Sequence, residues 1–211
     1  MLTVMTTGQA TASVDTIAIN LTLKNLKPNY ETAVRLAAAD LKKLQKSIMA
    51  IGFKKEDLKT INFTVDTKYE RIKIKQDSTE TKQKLIGYEV IHQMKIQFPY
   101  DMTRLSEVIY VIVGSGVPVE FDIRFEVSNR EAYVNAALSN ACLKAETQAK
   151  TLADALHVTL KGIAEISTQE HYPVYDARQY EVNYSMVAEQ VIDIQPDDVV
   201  IEATVTIKYH I

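Results

Sequence analysis

The sequence has little of what a disulfide-rich, metal-binding or membrane-spanning protein needs. Its 211 residues include one cysteine, Cys142, which excludes an internal disulfide framework and a metal site built from several cysteines. No apolar run approaches the roughly 20 residues that cross a bilayer as a helix. The N-terminal residues lack the basic region, apolar stretch and cleavage site of a secretory signal. We therefore expect a cytoplasmic protein from the sequence as it stands, or a periplasmic or cell-surface protein if an export signal has been removed.

A strong excess of one charge is also missing. Lysine and arginine total 24 against 27 aspartates and glutamates, which gives a formal net charge of −3. No global positive field therefore attracts nucleic acid or an anionic membrane. Apolar residues make up 46% and charged residues 24%, the mixture of a globular chain and not of a disordered one.

Motifs that identify a reaction are absent as well. The sequence contains no His-Glu-x-x-His, Cys-x-x-Cys or P-loop, and Gly114-x-Gly116 follows a predicted helix, which indicates a helix stop. His92 lies in phase with the apolar residues of a predicted strand and is expected to be buried and hydrogen-bonded. His171 is the one histidine that we would test as a ligand or base, and Cys142 is expected to be a buried, small apolar residue. We assign no catalytic residue, no cofactor site and no metal ligand.

Hydrophobic periodicity predicts the secondary structure. Alternation with a period of two indicates strands, and a stripe at helical spacing indicates helices. The predicted strands are 2–10, 13–25, 58–75, 83–98, 117–127, 160–171 and 200–211. The predicted helices are 29–51, 102–113 and 129–156. Asn29 and Asp101 are predicted to cap the first two helices, and the spacing of Ser128 and Glu131 predicts a capping box for the third.

This order indicates an α+β fold with two interlocked α/β-sandwich lobes, mostly antiparallel sheets, two long helices and one short helix. We expect residues 1–211 to form a single domain with approximate lobes 1–98 and 99–211. The middle of the buried stripe on the helix 129–156 is alanine, which should let that helix approach its sheet closely. Leucines, among them Leu156, are expected to fill the wider ends of the contact.

Several short motifs occur in a specific order along the chain. They are Val4-x-Thr6-x-Gly8, Asp15-Thr16-Ile17-Ala18, Gly52-Phe53-x-x-x-Asp57-x-x-Thr60, Gly87-Tyr88, Phe125-x-x-Ser128, Leu152-Ala153-x-x-Leu156 and Leu160-x-Gly162. Over residues 2–210 this succession resembles the SIMPL domain family, which includes bacterial periplasmic immunogenic proteins and an animal protein that associates with a Pelle-like kinase. Thr6, Val14 and His157 depart from the family pattern, which has glycine, proline and glycine there.

The resemblance implies an α+β subunit that assembles into large ring- or channel-like homo-oligomers. It also implies adaptor-like roles and, in bacteria, a link to the cell envelope and to oxidative stress. The family has no established catalytic residues, so the resemblance assigns none to this chain.

Two charged segments suggest how copies could dock on each other. The hairpin 68–84 is rich in bases, whereas residues 165–202 carry nine acids against one base and include a run of tyrosines, a residue type favoured at interfaces. We expect the basic hairpin of one protomer to dock on the tyrosine segment of another. The residues of this predicted interface are Arg71, Lys73, Lys75, Lys82, Lys84, Tyr172, Tyr175, Tyr180 and Tyr184.

Three functional classes remain open at this point, and a non-enzymatic assembly and interaction protein is the interpretation we favour. The alternatives are a small-molecule-binding protein or hydrolase with a site near His171, Tyr172 and Tyr175, and nucleic-acid binding through 68–84. The acidic chain and the shortage of aromatic residues in that hairpin, where Tyr69 stands alone, do not favour nucleic acid.

Overall fold

The computed structural model describes residues 1–73, 81–169, 180–181 and 195–211, and it confirms the α+β fold. The strands are β1 Leu2–Ala12, β2 Thr16–Lys27, β3 Lys59–Lys73, β4 Thr81–Pro99, β5 Val119–Glu126, β6 Gly162–Gln169, β7 Tyr180–Glu181 and β8 Val199–His210. The helices are α1 Tyr30–Ala50, α2 Met102–Gly114 and α3 Arg130–Ala155, with a 3-10 turn at Lys55–Asp57. The order of the long elements is the predicted one, and only the turn and β7 are additional.

The described strands form two sheets. One has the order β1-β8-β6 and the other the order β3-β4-β2-β5-β7. The pairs β1–β8, β6–β8, β2–β4, β3–β4 and β5–β7 are antiparallel. Because β1 pairs with β8 along its whole length, the two ends of the chain share one sheet.

The chain folds into two compact units whose segments interleave along the sequence. Unit 1 contains Met1–Asp15, Phe125–Ala177 and Gln195–Ile211, and unit 2 contains Thr16–Arg124 and Arg178–Ile194. The approximate lobes drawn from the sequence divide the chain once, at residue 98, whereas these units divide it at several points. The pairing of β1 with the distant β8 accounts for that difference.

In unit 1, α3 packs on β1 and β8 through a ridge of alanines at every fourth position. The buried alanines are Ala137, Ala141, Ala145, Ala149 and Ala153. Gly8 of β1 faces this ridge, and a Cβ atom there would overlap backbone atoms of Ala137 and Ala141. The Thr6 hydroxyl also donates a hydrogen bond of 2.7 Å to the Ala141 carbonyl oxygen. The prediction that alanines permit a close helix–sheet approach is therefore confirmed.

Two predictions about the flanks of this ridge are wrong. Cys142 is exposed, and Leu156 is 63% exposed instead of filling the end of the contact. Cys142 is rotated by about 100° from its neighbour Ala141 on the ridge and therefore points away from the sheet. Leu156 is the C-cap residue of α3 and lies beyond the end of the helix.

The predicted cap of α3 is also wrong. Asn129, and not Ser128, is the N-cap residue, and its side-chain oxygen accepts a hydrogen bond of 3.4 Å from the Ala132 N–H. Ser128 instead donates to the carboxylate of Asp15. A tertiary contact therefore takes the hydroxyl that local spacing assigned to the helix.

In unit 2, α1 packs on β2 and β4 and contacts α2. Alternate residues of β2 are completely or almost completely buried: Ile17, Ile19, Leu21 and Leu23. The two predicted caps are confirmed, because Asn29 accepts from the Thr32 N–H and Asp101 from the Arg104 N–H. Val90 of β4 packs with Ala33 and Ala37 of α1, and Tyr88 packs against this cluster.

Candidate interaction surface

On one side of Gly87, the hairpin of β3 and β4 is part of the larger sheet that includes β2. On the other side, its two strands continue as a ribbon without β2. The last residue of β2 that pairs with β4 is Lys27, opposite Tyr88. From Gly87 outward, β4 pairs with β3 alone among the described strands. A Cβ atom at Gly87 would overlap the backbone of Lys27 and Pro28, so only glycine lets β2 end against the strand at this point.

Two β-bulges flank the central part of β3. Ile61 is an extra residue on β3, between the pairs Thr60–Met94 and Asn62–Gln93, and Ile86 is an extra residue on β4. A bulge increases the local twist and redirects the strand. Between the two bulges, and on to the end of β3, successive side chains of β3 point to alternate faces of the sheet without interruption.

The outer edge of β3 carries large apolar side chains that are exposed. β3 is the outermost strand of its sheet, and within the described ranges no strand pairs with its free edge. Ile61 is 59% exposed, Phe63 50% and Tyr69 54%, and Ile72 is also exposed. Leu85 and Ile86 of β4 are exposed on the ribbon as well. An edge strand of 15 residues with exposed apolar side chains is a template for pairing with another chain.

A buried histidine, His92, contacts two residues near the start of β3. His92 is 6% exposed, and its Nε2 atom is 2.8 Å from the Thr60 hydroxyl. Its ring makes an edge-to-face contact with Phe63, with centroids 5.3 Å apart. Burial lowers the pKa of His92 below its ordinary value. The prediction of a buried, hydrogen-bonded histidine is confirmed, and the contact orients Phe63 on the strand edge.

The middle of the hairpin carries a small charge cluster on one face. Lys68 donates to Glu89 at 2.7 Å, and Asp66 lies directly opposite Glu89 on the neighbouring strand. The hydrogen bond and the negative charge of Glu89 raise the pKa of Lys68. Within this cluster, one base therefore lies between two acids.

The bases of the predicted interface that the structure describes lie on both faces of the ribbon. Arg71 pairs with Gln83, whereas Lys82 pairs with Ile72 and Lys84 with Glu70. Directly opposed residues share a face and neighbours alternate, so Arg71 lies on one face of the ribbon while Lys82 and Lys84 lie on the other. Lys73 is described only by its backbone pairing with Thr81, and Lys75 lies outside the described residues.

The predicted docking segment falls mostly outside the described residues. Tyr172, Tyr175, Tyr184 and His171 all lie there, and Tyr180 is described only by its backbone pairing with Ile123 in β7. The acids that flank the segment already have partners. Glu165 accepts from Lys208 at 2.7 Å, and Glu202 accepts from Gln9 at 2.6 Å.

A shallow open depression lies on unit 2, beside β2 and the start of β5. It is lined by Thr22, Lys24, Pro118, Val119 and Glu120. Lys24 and Glu120 form an ion pair of 2.6 Å across it, so its two charges bind each other. Among residues 1–73, 81–169, 180–181 and 195–211, no three His, Cys, Asp or Glu side chains form a group that could hold a metal ion.

The exposed apolar residues of β3 were not among the predicted interface residues, which for this hairpin were its bases. The signal available in the sequence was a pair of apolar residues, Ile61 and Phe63, in the first strand of the predicted hairpin. Period-two alternation indicates a half-buried strand but does not say whether that strand is central or at an edge. The exposure of these residues depends on the sheet order, which the local pattern does not contain.

Comparison with known proteins places this fold in a family. The model of the SIMPL family, described as a protein of unknown function (DUF541), matches residues 2–209. The chain is 26% identical over 168 residues to the "26 kDa periplasmic immunogenic protein" of Brucella melitensis biotype 1, which covers 79% of this chain and 66% of that protein. The chain thus spans slightly less than two thirds of the relative's length. None of the helices in the described part of the chain is long and apolar enough to cross a membrane. The chain belongs to the SIMPL family.

Proposed function

We propose that this protein is a non-enzymatic subunit that assembles with its own copies and mediates protein–protein interaction through the β3–β4 hairpin. The observation that carries the proposal is the exposed apolar edge of β3, where Ile61, Phe63 and Tyr69 are each at least half exposed. Isolated exposed apolar residues are ordinary, but several of them on one edge strand are typical of an interaction surface.

We propose a location in the cell envelope, where the assembly would contribute to a stress response. The support is the relative in Brucella melitensis, whose name describes a periplasmic immunogenic protein. The interface residues named from the sequence remain part of the proposal. Arg71, Lys82 and Lys84 lie on the same ribbon as the exposed apolar side chains and would form the polar rim of the contact.

Measurement of the native mass tests the proposal. Size-exclusion chromatography with light scattering, at low and high salt and over a range of concentrations, should give a mass that is a multiple of 23.8 kDa. A single species of 23.8 kDa under every condition would contradict self-assembly.

A double variant connects the mass to the hairpin. Tyr69→Thr together with Ile72→Thr keeps strand propensity but removes two of the exposed apolar groups of the ribbon, so the mass should fall. The control is Tyr110→Gln, which removes an exposed tyrosine from α2. An equal fall in mass for both variants would show that the hairpin has no special part in assembly.

A further inference from the structure

We propose that the occupant of the β3 edge is β3 of a second copy, paired antiparallel about Thr67. This inference rests on the proposed function and specifies its surface and register. On an edge strand, every second residue directs its backbone N–H and C=O outward. In β3 the uninterrupted alternation runs from Asn62 to Lys73, and Thr67 lies near the middle of that stretch.

Symmetry restricts the possible registers. Two antiparallel strands of identical chains are related by a two-fold axis perpendicular to the joined sheet, which keeps each face on its own side. Directly opposed residues share a face, and side chains alternate between faces. At the axis, a residue of one copy must therefore lie directly opposite the same residue of the other copy. Each possible register has one such central residue, which we call its centre.

With the centre at Thr67, the side chains of β3 in one copy are complementary to those opposite them on β3 of the second copy. Asp66 lies opposite Lys68 of the second copy, twice by symmetry, and Val65 lies opposite Tyr69. Phe63 lies opposite Arg71, which would place a guanidinium beside an exposed ring. Cross-strand pairs of these kinds are favourable. Each Lys68 would then lie between its own Glu89, at 2.7 Å, and Asp66 of the second copy.

The neighbouring centres are less favourable. A centre at Asp66 brings two aspartates face to face, and a centre at Lys68 brings two lysines together and Asp66 opposite Glu70. Like charges directly opposed across strands are destabilising. A centre at Tyr69 pairs Lys68 with Glu70, but it places Asp66 opposite Ile72 and leaves the first residues of β3 unpaired.

Disulfide trapping tests the register. In a Cys142→Ser background, Thr67→Cys places two cysteines opposite each other at the axis, where Cα separations of about 4.5–5.5 Å suit a disulfide. Oxidised glutathione should convert this variant into a covalent dimer that a reducing agent separates. Thr64→Cys is the matched control, because its two copies would lie roughly 20 Å apart at about 3.4 Å per residue. Tyr69→Cys reports the competing centre.

The native mass of the Cys142→Ser parent, measured in parallel, separates the two proposals. If the parent is an oligomer and Thr67→Cys links much faster than Thr64→Cys and Tyr69→Cys, the register is supported. If the parent is an oligomer but Thr67→Cys links no faster than either of them, the register is overturned while self-assembly stands. If the parent is a monomer at every concentration, both proposals are overturned.

A charge exchange provides a second test. Asp66→Lys alone opposes two lysines, and Lys68→Asp alone opposes two aspartates, so each should weaken dimerisation by roughly tenfold at low salt. The double variant restores opposite charges and also leaves a lysine opposite Glu89, so it should recover the dimer. Exchange of Glu146 and Lys150, an ion pair on the exposed face of α3, is the control. Equal weakening in the double and single variants would overturn the register.

Discussion

The carboxylate of Asp15 accepts two hydrogen bonds from Ser128, a residue 113 positions away in the sequence. The Ser128 N–H donates at 2.8 Å and the Ser128 hydroxyl at 2.7 Å. The Asp15 N–H in turn donates to the Glu126 carbonyl oxygen at 3.2 Å. Asp15 and Ser128 belong to two of the motifs that carry the family resemblance. The contact joins these two motifs and holds the segment after β1 against the start of α3 within unit 1.

Removal of the Asp15 carboxylate should destabilise unit 1. Asp15→Ala loses both hydrogen bonds from Ser128, and hydrogen bonds to a charged group at an exposed site should cost about 1–2 kcal/mol of unfolding free energy in total. Ser128→Ala keeps the backbone hydrogen bond and should cost roughly half as much. Urea unfolding followed by circular dichroism measures both. Equal losses for the two variants would show that the backbone hydrogen bond contributes nothing.

Substitution of Gly8 should be severe. In Gly8→Ala the new Cβ atom overlaps backbone atoms of Ala137 and Ala141, and backbone cannot move aside as a flexible side chain can. We expect a loss of about 3 kcal/mol or more, or failure to fold. The matched control is Gly114→Ala at the end of α2, where nothing lies within 4 Å of the new atom. That variant should be neutral or more stable by up to about 1 kcal/mol.

Replacement of His157 should stabilise the protein. His157 follows α3 with φ of +54°, a left-handed conformation that glycine adopts without strain, and glycine is the residue of the family pattern at this position. Relief of roughly 1–2 kcal/mol of strain, reduced by the entropy of glycine in the unfolded chain, leaves a gain of about 0.5–1 kcal/mol for His157→Gly. His157→Ala, which keeps a Cβ atom, should not gain. Thermal unfolding distinguishes them, and equal midpoints for the two would contradict this explanation.

Acidification should destabilise unit 2 through His92. Burial lowers the pKa of His92 in the folded state, so the unfolded chain, with an ordinary pKa near 6.5, takes up the proton first. The stability that neutral His92 supplies is complete above about pH 6.5 and is lost as the pH falls through the lower pKa of the folded state. His92→Gln cannot titrate and should flatten the decline of unfolding free energy between pH 7 and pH 5. An unchanged slope in His92→Gln would contradict this explanation.

The sequence by itself determined the elements of the fold. The alternation in β2 and the stripes on α1 and α2 are local signals, because a half-buried strand or helix must repeat its apolar residues at its own period. The caps at Asn29 and Asp101 were predictable for the same reason, since each hydrogen bond joins residues three positions apart. The alanine ridge of α3 also indicated that this helix approaches its sheet closely, although the ridge alone does not identify Gly8 as its partner.

The tertiary structure decided which strand lies at an edge, and with it the candidate site. No local pattern states that β3 is outermost, that β2 ends at Gly87, or that Arg71 lies on a different face of the ribbon from Lys82 and Lys84. Ser128 is the clearest case, because its local spacing with Glu131 predicted a cap while Asp15, distant in sequence, forms the contact instead. Pairings between segments far apart in the chain depend on the whole arrangement of strands, so alternation and spacing could not determine them.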